Sequence, residues 1–301
     1  MNKFLDLVKS LNLSYIYLKN GITIESNANI SLNNITIDSD LVVIHDIDDD
    51  TKVDININPN VNVKILELFK VDKLSKNINV SKNINGKENS RLDLTTLTYD
   101  ELEEKDTFSI NFNLNTNLYR NMVIESSKIV LLNKRFITSE VSNLHEEESN
   151  LSNYNVYINY TKDVQSVDIV VNHLFKDTVS QMRNYGISKY NSELILNTNG
   201  VIKNGAKRSN VNQKNTGLLV DIDSKITAKP LLQIDEYDCL ASHGAGIGAL
   251  DEDALYYLMT RGLSREESEK LIVGGFVAPI LAKIDNDKIK ERFENIILKY
   301  L

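Results

Sequence analysis

A chain of 301 residues, 42% hydrophobic and 25% charged, is long enough to bury a large core in one or two domains and has the balance of an ordinary globular protein. Its formal net charge of -8 argues against broad electrostatic binding to nucleic acid or an anionic membrane, and no apolar run approaches the roughly 20 residues that span a bilayer. One cysteine, Cys239, excludes a disulfide framework and points to a reducing cytoplasm; with only four histidines (His45, His145, His173, His243) the chain is poorly equipped to hold a metal cluster alone.

In chain order, the opening "MNKFLDLVKSLN" reads as a short helical segment, residues 1–13, without the apolar run and cleavage site of a secretory signal. From Ser14 the runs "SYIYL", "GITIE", "NISL", "NITID" and "LVVIHDI" are rich in Ile, Val and Tyr and punctuated by Asn, Asp, Gly and Ser, the signature of strands and turns. The pattern returns in "KVDININPNVNVKILELF", "FSINFNLN", "YNVYINY", "VDIVVNHLF" and "ELILNTNGVIKN", and continues to the stretch around Cys239. Many short strands at near-regular spacing fit a sandwich, a barrel or a β-solenoid. The solenoid is favoured on two grounds. The runs are not obviously joined by two-residue Asn-Gly or Asp-Gly hairpin turns, and Asn recurs at the run ends, where its amide bonds the backbone and tolerates left-handed conformations. No strict repeat is visible. The tract "NVSKNINGKENS" fits a compositional bias or a loop equally well. The acidic run Tyr99–Thr107, "YDELEEKDT", and the run "HEEESNLSNYN" from His145 read as solvated loops, and Lys203, Lys207, Arg208 and Lys214 as a solvated basic face.

Character changes at Asp251, which sets a β body over 14–250 and a helical domain over 251–301. In "DEDALYYLMTRG", Leu255, Leu258 and Met259 recur at helical spacing, with Asp251 as N-cap and Gly262 just past the end. "SREESEKLIVGGFVAPIL" opens with the capping-box pair Ser264 and Glu267, carries Leu271, Ile272 and Phe276 on one face, and meets Pro279, expected to halt or bend the helix. A last amphipathic helix, from about Asp287 to Leu301, puts Ile289, Phe293, Ile296, Ile297 and Tyr300 on one side.

His243 sits among Ser242, Gly244, Ala245 and Gly246, small neighbours that let another backbone approach and leave the imidazole uncovered. It is a candidate ligand or proton carrier, although a histidine bonding the backbone near a strand end is the commoner role. If Cys239 to His243 form one strand, both face the same side, but a straight strand separates their Cα atoms by roughly 13 Å, too far to share one metal ion unless a dinuclear site, a bulge or a second subunit intervenes. A small buried cysteine is the usual outcome for a lone thiol. No Ser-His-Asp order can be built around His173, no G-x-S-x-G or Walker A sequence exists, and "GAGIGA" lacks the spacing and context of a dinucleotide fingerprint. The residues describe a β-rich scaffold with a histidine at its β-to-helix junction and no catalytic apparatus of its own.

Three stretches carry a resemblance: "HLFKDTVSQMRNYG", "NVNQKNTGLLVDIDSKITAKPLLQI" and "SHGAGIGALDEDALYYLMTRGLSREESEKLIVGGF". From about His173 to Pro279 the chain resembles the SufB/SufD family, paired scaffold subunits of the SUF iron–sulfur cluster assembly system. Ser242-His243-Gly244-Ala245 is similar to the SufD branch; SufB chains usually have His-Glu-Ala there and need a sulfur-accepting cysteine within the β body, where this chain has none before Cys239. The resemblance implies a mainly β fold, a right-handed parallel β-helix core with a C-terminal α-helical domain, in a non-enzymatic subunit. It implies pairing with a SufB-like subunit and docking of a SufC-like ABC ATPase on the helices. It makes His243, with Cys239 as second candidate, a contributor to a transient iron–sulfur cluster or iron shared with the partner, none being bound tightly by this chain alone. Ser242, Gly244, Tyr257, Arg261, Gly262 and Phe276 become partner-facing. The alternatives are a minimal homodimeric SufB/SufD-like scaffold, an interaction scaffold without metal, and a β-helix enzyme acting on polysaccharide.

Overall fold

A strand that alternates apolar and polar residues buries one face and solvates the other, and a chain of such strands must stack them face to face or coil them. The computed structural model describes all residues except 1–2, 29–34, 73–75, 101–107, 133, 161 and 301, and it shows the coil. One sheet has ten strands: β1 (Tyr15–Lys19), β2 (Ile22–Ser26), β4 (Leu41–Ile47), β6 (Asn62–Val71), β8 (Arg91–Asp100), β10 (Val123–Leu131), β12 (Asn150–Asn159), β14 (Val179–Ser188), β16 (Ser209–Leu219) and β18 (Cys239–Ala249). The other has eight: β3 (Ile35–Ile37), β5 (Thr51–Ile57), β7 (Ile78–Gly86), β9 (Ile110–Leu118), β11 (Phe136–Leu144), β13 (Val164–His173), β15 (Glu193–Ile202) and β17 (Lys225–Ile234). From β3 onward the chain passes alternately between the two, and each strand pairs in parallel with the strand two positions later. The result is a parallel β-solenoid of about seven turns.

The expectation that hairpin turns are absent holds except at the start, where β1 and β2 are antiparallel. Asn20 and Gly21 make that turn with φ of 50° and 79°, the primed geometry of a tight hairpin. A Cβ on Gly21 would also sit 2.3 Å from the carbonyl oxygen of Lys52, so only glycine fits.

Asparagine turns out to be structural. On the outer face of the eight-stranded sheet Asn56, Asn85, Asn117, Asn143 and Asn172 stack as a ladder, amide to carbonyl, at 3.0, 3.0, 3.2 and 2.9 Å. Inside the coil Asn155, Asn184 and Asn215 form a second ladder at 2.9 and 3.0 Å, all three buried. Parallel in-register strands put identical side chains one rung apart, where each amide donates to the next. The tract "NVSKNINGKENS" is therefore mostly strand β7, not loop, and the run after His145 becomes strand β12 from Asn150. The run "NISL" and the acidic residues 101–107 lie outside the described residues, while Tyr99 and Asp100 end β8.

His173 is a turn lock. Its Nδ1 lies 2.8 Å from Thr178 Oγ1 and its Nε2 2.8 Å from Ser180 Oγ, and Thr178 Oγ1 donates to the Phe175 carbonyl at 3.0 Å. The stretch "HLFKDTVS" thus ties the β13–β14 corner through side chains, which accounts for its polar residues without any chemistry.

The helices form a second layer. They are α1 (Lys3–Ser10), α2 (Glu252–Thr260), α3 (Arg265–Leu281) and α4 (Asp287–Leu298). Asp251 caps α2 through the amides of Asp253 and Ala254, and Ser264 and Glu267 close the expected capping box on α3. Pro279 does not halt α3, which continues to Leu281; both Pro279 and Gly275, four residues earlier, face solvent, so the Gly275 carbonyl that the proline cannot serve is open to hydration. The outer face of the ten-stranded sheet (Val42, Ile44, Leu68, Leu97, Ile129, Val156, Ile187) packs against Val273, Val277, Ile280, Phe293 and Ile297. Phe4 of α1 meets Phe293 of α4 at 5.7 Å between ring centroids, which brings the two ends of the chain together. That sheet is buried on both faces, so its strands read as continuous apolar runs in places.

Two outcomes follow. Asn184→Ala removes the middle rung of the buried ladder and strands the Asn155 amide and the Asn215 carbonyl, so denaturant titration should show a loss of about 2 to 3 kcal/mol. Burial lowers the His173 pKa from 6.5 to about 4. The neutral ring belongs to the folded state and the unfolded chain takes up the proton first, so stability is lost as pH falls from 6.5 towards 4, by about 3 kcal/mol in all. In the window above the carboxylate range, His173→Gln should flatten that slope even though it lowers stability at pH 7; an unchanged slope would assign the acid sensitivity elsewhere.

Candidate functional site

Each coil of a parallel solenoid satisfies its backbone on the next coil, and the last coil has none to use. Among the described residues β18 pairs only with β16, and β17 only with β15, so both sheets end on edges unpaired by them at the same end of the molecule. From Leu240 onward every residue of β18 is exposed, and Leu231, Leu240 and Ile247 present 50%, 67% and 45% of their surface to solvent.

The register fixes what this end displays. Cys239, Ala241, His243, Ala245 and Ile247 align with Ser209, Val211, Gln213, Asn215 and Gly217, residues buried inside the coil. His243 therefore belongs to the interior row of the solenoid but on its uncovered last rung. Beneath it, Gln213 is fixed: its Oε1 accepts from Thr198 Oγ1 at 2.9 Å and its Nε2 donates to the Leu231 carbonyl at 2.9 Å. Ser242, Gly244, Gly246 and Gly248 alternate to the outer side, where Ser242 accepts from Asn212 Nδ2 at 2.6 Å. A Cβ on any of those three glycines meets nothing within 4 Å, so their bare backbone is a surface open to another chain. A groove of about 700 Å³ runs along this strand, lined by Lys214, Ser242, His243, Gly246 and Phe276 among others.

Cys239 shares the interior row with His243. It is half-buried against the solenoid core, and its thiol donates to the Glu236 carbonyl at 3.1 Å. Burial, followed by the charges of Glu236 and Asp238, pushes the thiol pKa up. The thiolate that a metal needs is therefore disfavoured until a cation arrives to displace the proton. Among the described residues no group of three or more His, Cys, Asp and Glu side chains stands together as a metal site.

The helical candidates lie on a different surface. Tyr257 is 57% exposed, and the Arg261 guanidinium lies 5.2 Å from its ring centroid and donates to its hydroxyl at 3.3 Å. Gly262 takes φ 97° to turn the chain from α2 into α3. Tyr256, Met259 and Leu271 add exposed apolar surface beside them. Phe276 is half-buried, its ring 5.5 Å from Tyr185 and its carbonyl accepting from Tyr154 Oη at 3.3 Å, so it anchors α3 to the solenoid and borders the groove by β18. The structure thus gathers Ser242, His243, Gly244 and Phe276 at the open end and Tyr257, Arg261 and Gly262 on the α2 face. Sequence reasoning passed over Gln213, Asn215 and Thr198, the polar residues packed beneath the last rung; β16 is polar on both faces from Asn212 to Thr216, so no alternation marks them.

Fold and open end together define a parallel β-solenoid with a helical outer layer and an uncapped final coil. Residues 49–276 match the SufBD core domain of SUF system FeS cluster assembly, and the chain belongs to this SufB/SufD family. It is 29% identical over 161 residues to the iron-sulfur cluster assembly protein SufD of Bacillus subtilis, covering 54% of this chain and 37% of that one. Over 159 residues it is 26% identical to SufD of Plasmodium falciparum, covering 52% and 10% of the two chains. An iron-sulfur cluster assembly SufBD family protein of Mycobacterium leprae is 30% identical over 112 residues, 37% of this chain and 13% of the other. Within the family the chain is most like SufD, and it spans well under half the length of these relatives. No helix among the described residues is long and apolar enough to cross a membrane.

The raised thiol pKa has a direct readout. The rate of Cys239 alkylation by iodoacetamide should climb with an inflection above the ordinary thiol value of 9.0. Full reactivity already at pH 7 would show a thiolate stabilised by something other than these surroundings.

Proposed function

We propose that this chain is a SufD-like, non-catalytic scaffold subunit that assists iron–sulfur cluster assembly together with a SufB-like chain and a SufC-like ABC ATPase. The observation that carries this reading is the last strand, which presents His243 from the interior row at an open end while, among the described residues, no group of three or more His, Cys, Asp and Glu side chains stands together to hold a metal. A neutral imidazole coordinates iron through a ring nitrogen, so His243 offers one ligand to a cluster whose remaining ligands come from the partner. The free edge of β18 and its three bare glycines suit a partner strand that pairs backbone to backbone. In this reading the cluster is cargo, formed at the junction and passed on. Cys239 is a second candidate ligand, one that needs local opening of the β17–β18 turn before its sulfur is free of the Glu236 carbonyl. The exposed α2 face with Tyr257 and Arg261 is the docking surface for the ATPase; aromatic and arginine side chains held against each other are well suited to an interface centre. A cytoplasmic location accords with the free thiol.

The same free edge on a second copy of this chain supports the homodimeric alternative, and one experiment separates the two. The chain, wild type or His243→Ala, is co-expressed with a SufB-like and a SufC-like protein, and the purified complex is loaded with iron and sulfide. The expected outcome is a complex of unchanged size for both, with the cluster's visible absorbance falling by roughly tenfold or more in the variant. Equal absorbance removes His243 as a ligand. A chain that forms a stable homodimer and ignores the SufB-like protein favours the alternative.

A further inference from the structure

Midway along the solenoid the interior carries buried charged side chains among its apolar ones. Two ion pairs lie there. Glu67 is completely buried; it accepts from His45 Nε2 at 3.0 Å and from Thr96 Oγ1 at 3.1 Å, and it pairs with the Lys82 ammonium. On the next coils Glu140 pairs with Lys128 and accepts from Tyr157 Oη at 3.2 Å. A cavity of about 30 Å³ lies beside these pairs; Lys82, Lys128, Thr138 and Glu140 line it on one part and apolar side chains such as Phe112 and Phe136 on the rest. Thr138 is 1% exposed and its hydroxyl has no partner. Each ammonium has three donors and, among the described residues, one hydrogen-bond acceptor, Glu67 for Lys82 and Glu140 for Lys128, with the Phe69 ring centroid 5.5 Å from Lys82 Nζ.

We propose that this cavity is a built hydration site holding two ordered water molecules, which bridge the ammonium groups of Lys82 and Lys128 to the Thr138 hydroxyl. The volume suits water, which needs about 10–15 Å³ of probe space per molecule. The chemistry excludes an empty cavity, because unpaired donors and a bare hydroxyl in such surroundings are costly, whereas water accepts from the ammoniums and donates to Thr138 or Glu140. It also argues against an anion. The two ammoniums are already matched by two carboxylates, so an added negative charge would be buried without a counter-charge. The waters join the two ion pairs into one network across the axis of the coil. That makes this stretch of the interior a polar core held by solvent.

The test is a crystal structure of the full chain at about 1.8 Å or better, fine enough to place first-shell waters. Two density peaks are expected within hydrogen-bonding distance of Lys82 Nζ, Lys128 Nζ and Thr138 Oγ1. Crystals soaked in bromide should give no anomalous peak there. In Thr138→Val, which keeps the shape but removes the hydroxyl, the peak next to residue 138 should disappear. An empty cavity in the wild-type map, an anomalous bromide peak, or an unchanged pair of peaks in Thr138→Val would each overturn the proposal; should the variant not fold, the wild-type maps and the soak still decide.

Discussion

Parallel pairing without closure is the constraint on which this molecule rests. A barrel satisfies its own edges, but a solenoid hands each row of amides and carbonyls to the coil that follows. At the N-terminal end of the ten-stranded sheet, the antiparallel strand β2 and its charged contacts, Lys9 with Glu25 at 2.7 Å, finish the stack. At the other end both sheets stop on bare strands. An uncapped edge is normally an aggregation hazard, and the proposed function answers it by giving this long, glycine-rich edge a partner to cover it.

The interior follows from the same geometry. In-register stacking places Glu67, Thr96, Lys128, Asn155, Asn184 and Asn215 in one continuous row, which ends beside His243 at Ala245. One polar side chain inside a coil obliges the next coil to answer it, since an unanswered group is costly. Asparagine answers asparagine on the next coil in the later turns; in the earlier ones carboxylate answers ammonium from the facing sheet of the same coil, Glu67 to Lys82 and Glu140 to Lys128. The row is consequently self-consistent from coil to coil until the last rung, where the chain has no further coil to supply an answer. The helical layer meets this end from outside, because Phe276 and Tyr185 pin α3 beside the edge strand and leave α2 projecting into solvent.

Some of this was readable from residue order alone. Strand-forming runs, the three C-terminal helices with Asp251 and Ser264 as caps, and the isolation of His243 among small residues all depend on neighbours within a few positions, and local chemistry expresses them directly. The hairpin at Asn20–Gly21 was missed although Asn-Gly between two apolar runs is its usual signal, because the same dipeptide recurs inside strands, at Asn85–Gly86 and Asn199–Gly200. The period of the coil was missed because it is not constant: rungs of the outer asparagine ladder lie 29, 32, 26 and 29 residues apart, as corners of different length separate strands of nearly equal length.

Residue order by itself determined the class of element at most positions, the shortage of metal ligands and the family signature. Only the tertiary structure decided that asparagine is a ladder residue, that His173 locks a corner, that the interior carries buried ion pairs, and that His243 stands on the last rung of a row with nothing above it. The ladders and the last rung relate side chains about one coil apart, the ion pairs join side chains 15 and 12 residues apart on facing strands, and the His173 corner joins side chains five and seven apart. In each case a fold-wide register, not a local propensity, brings them together.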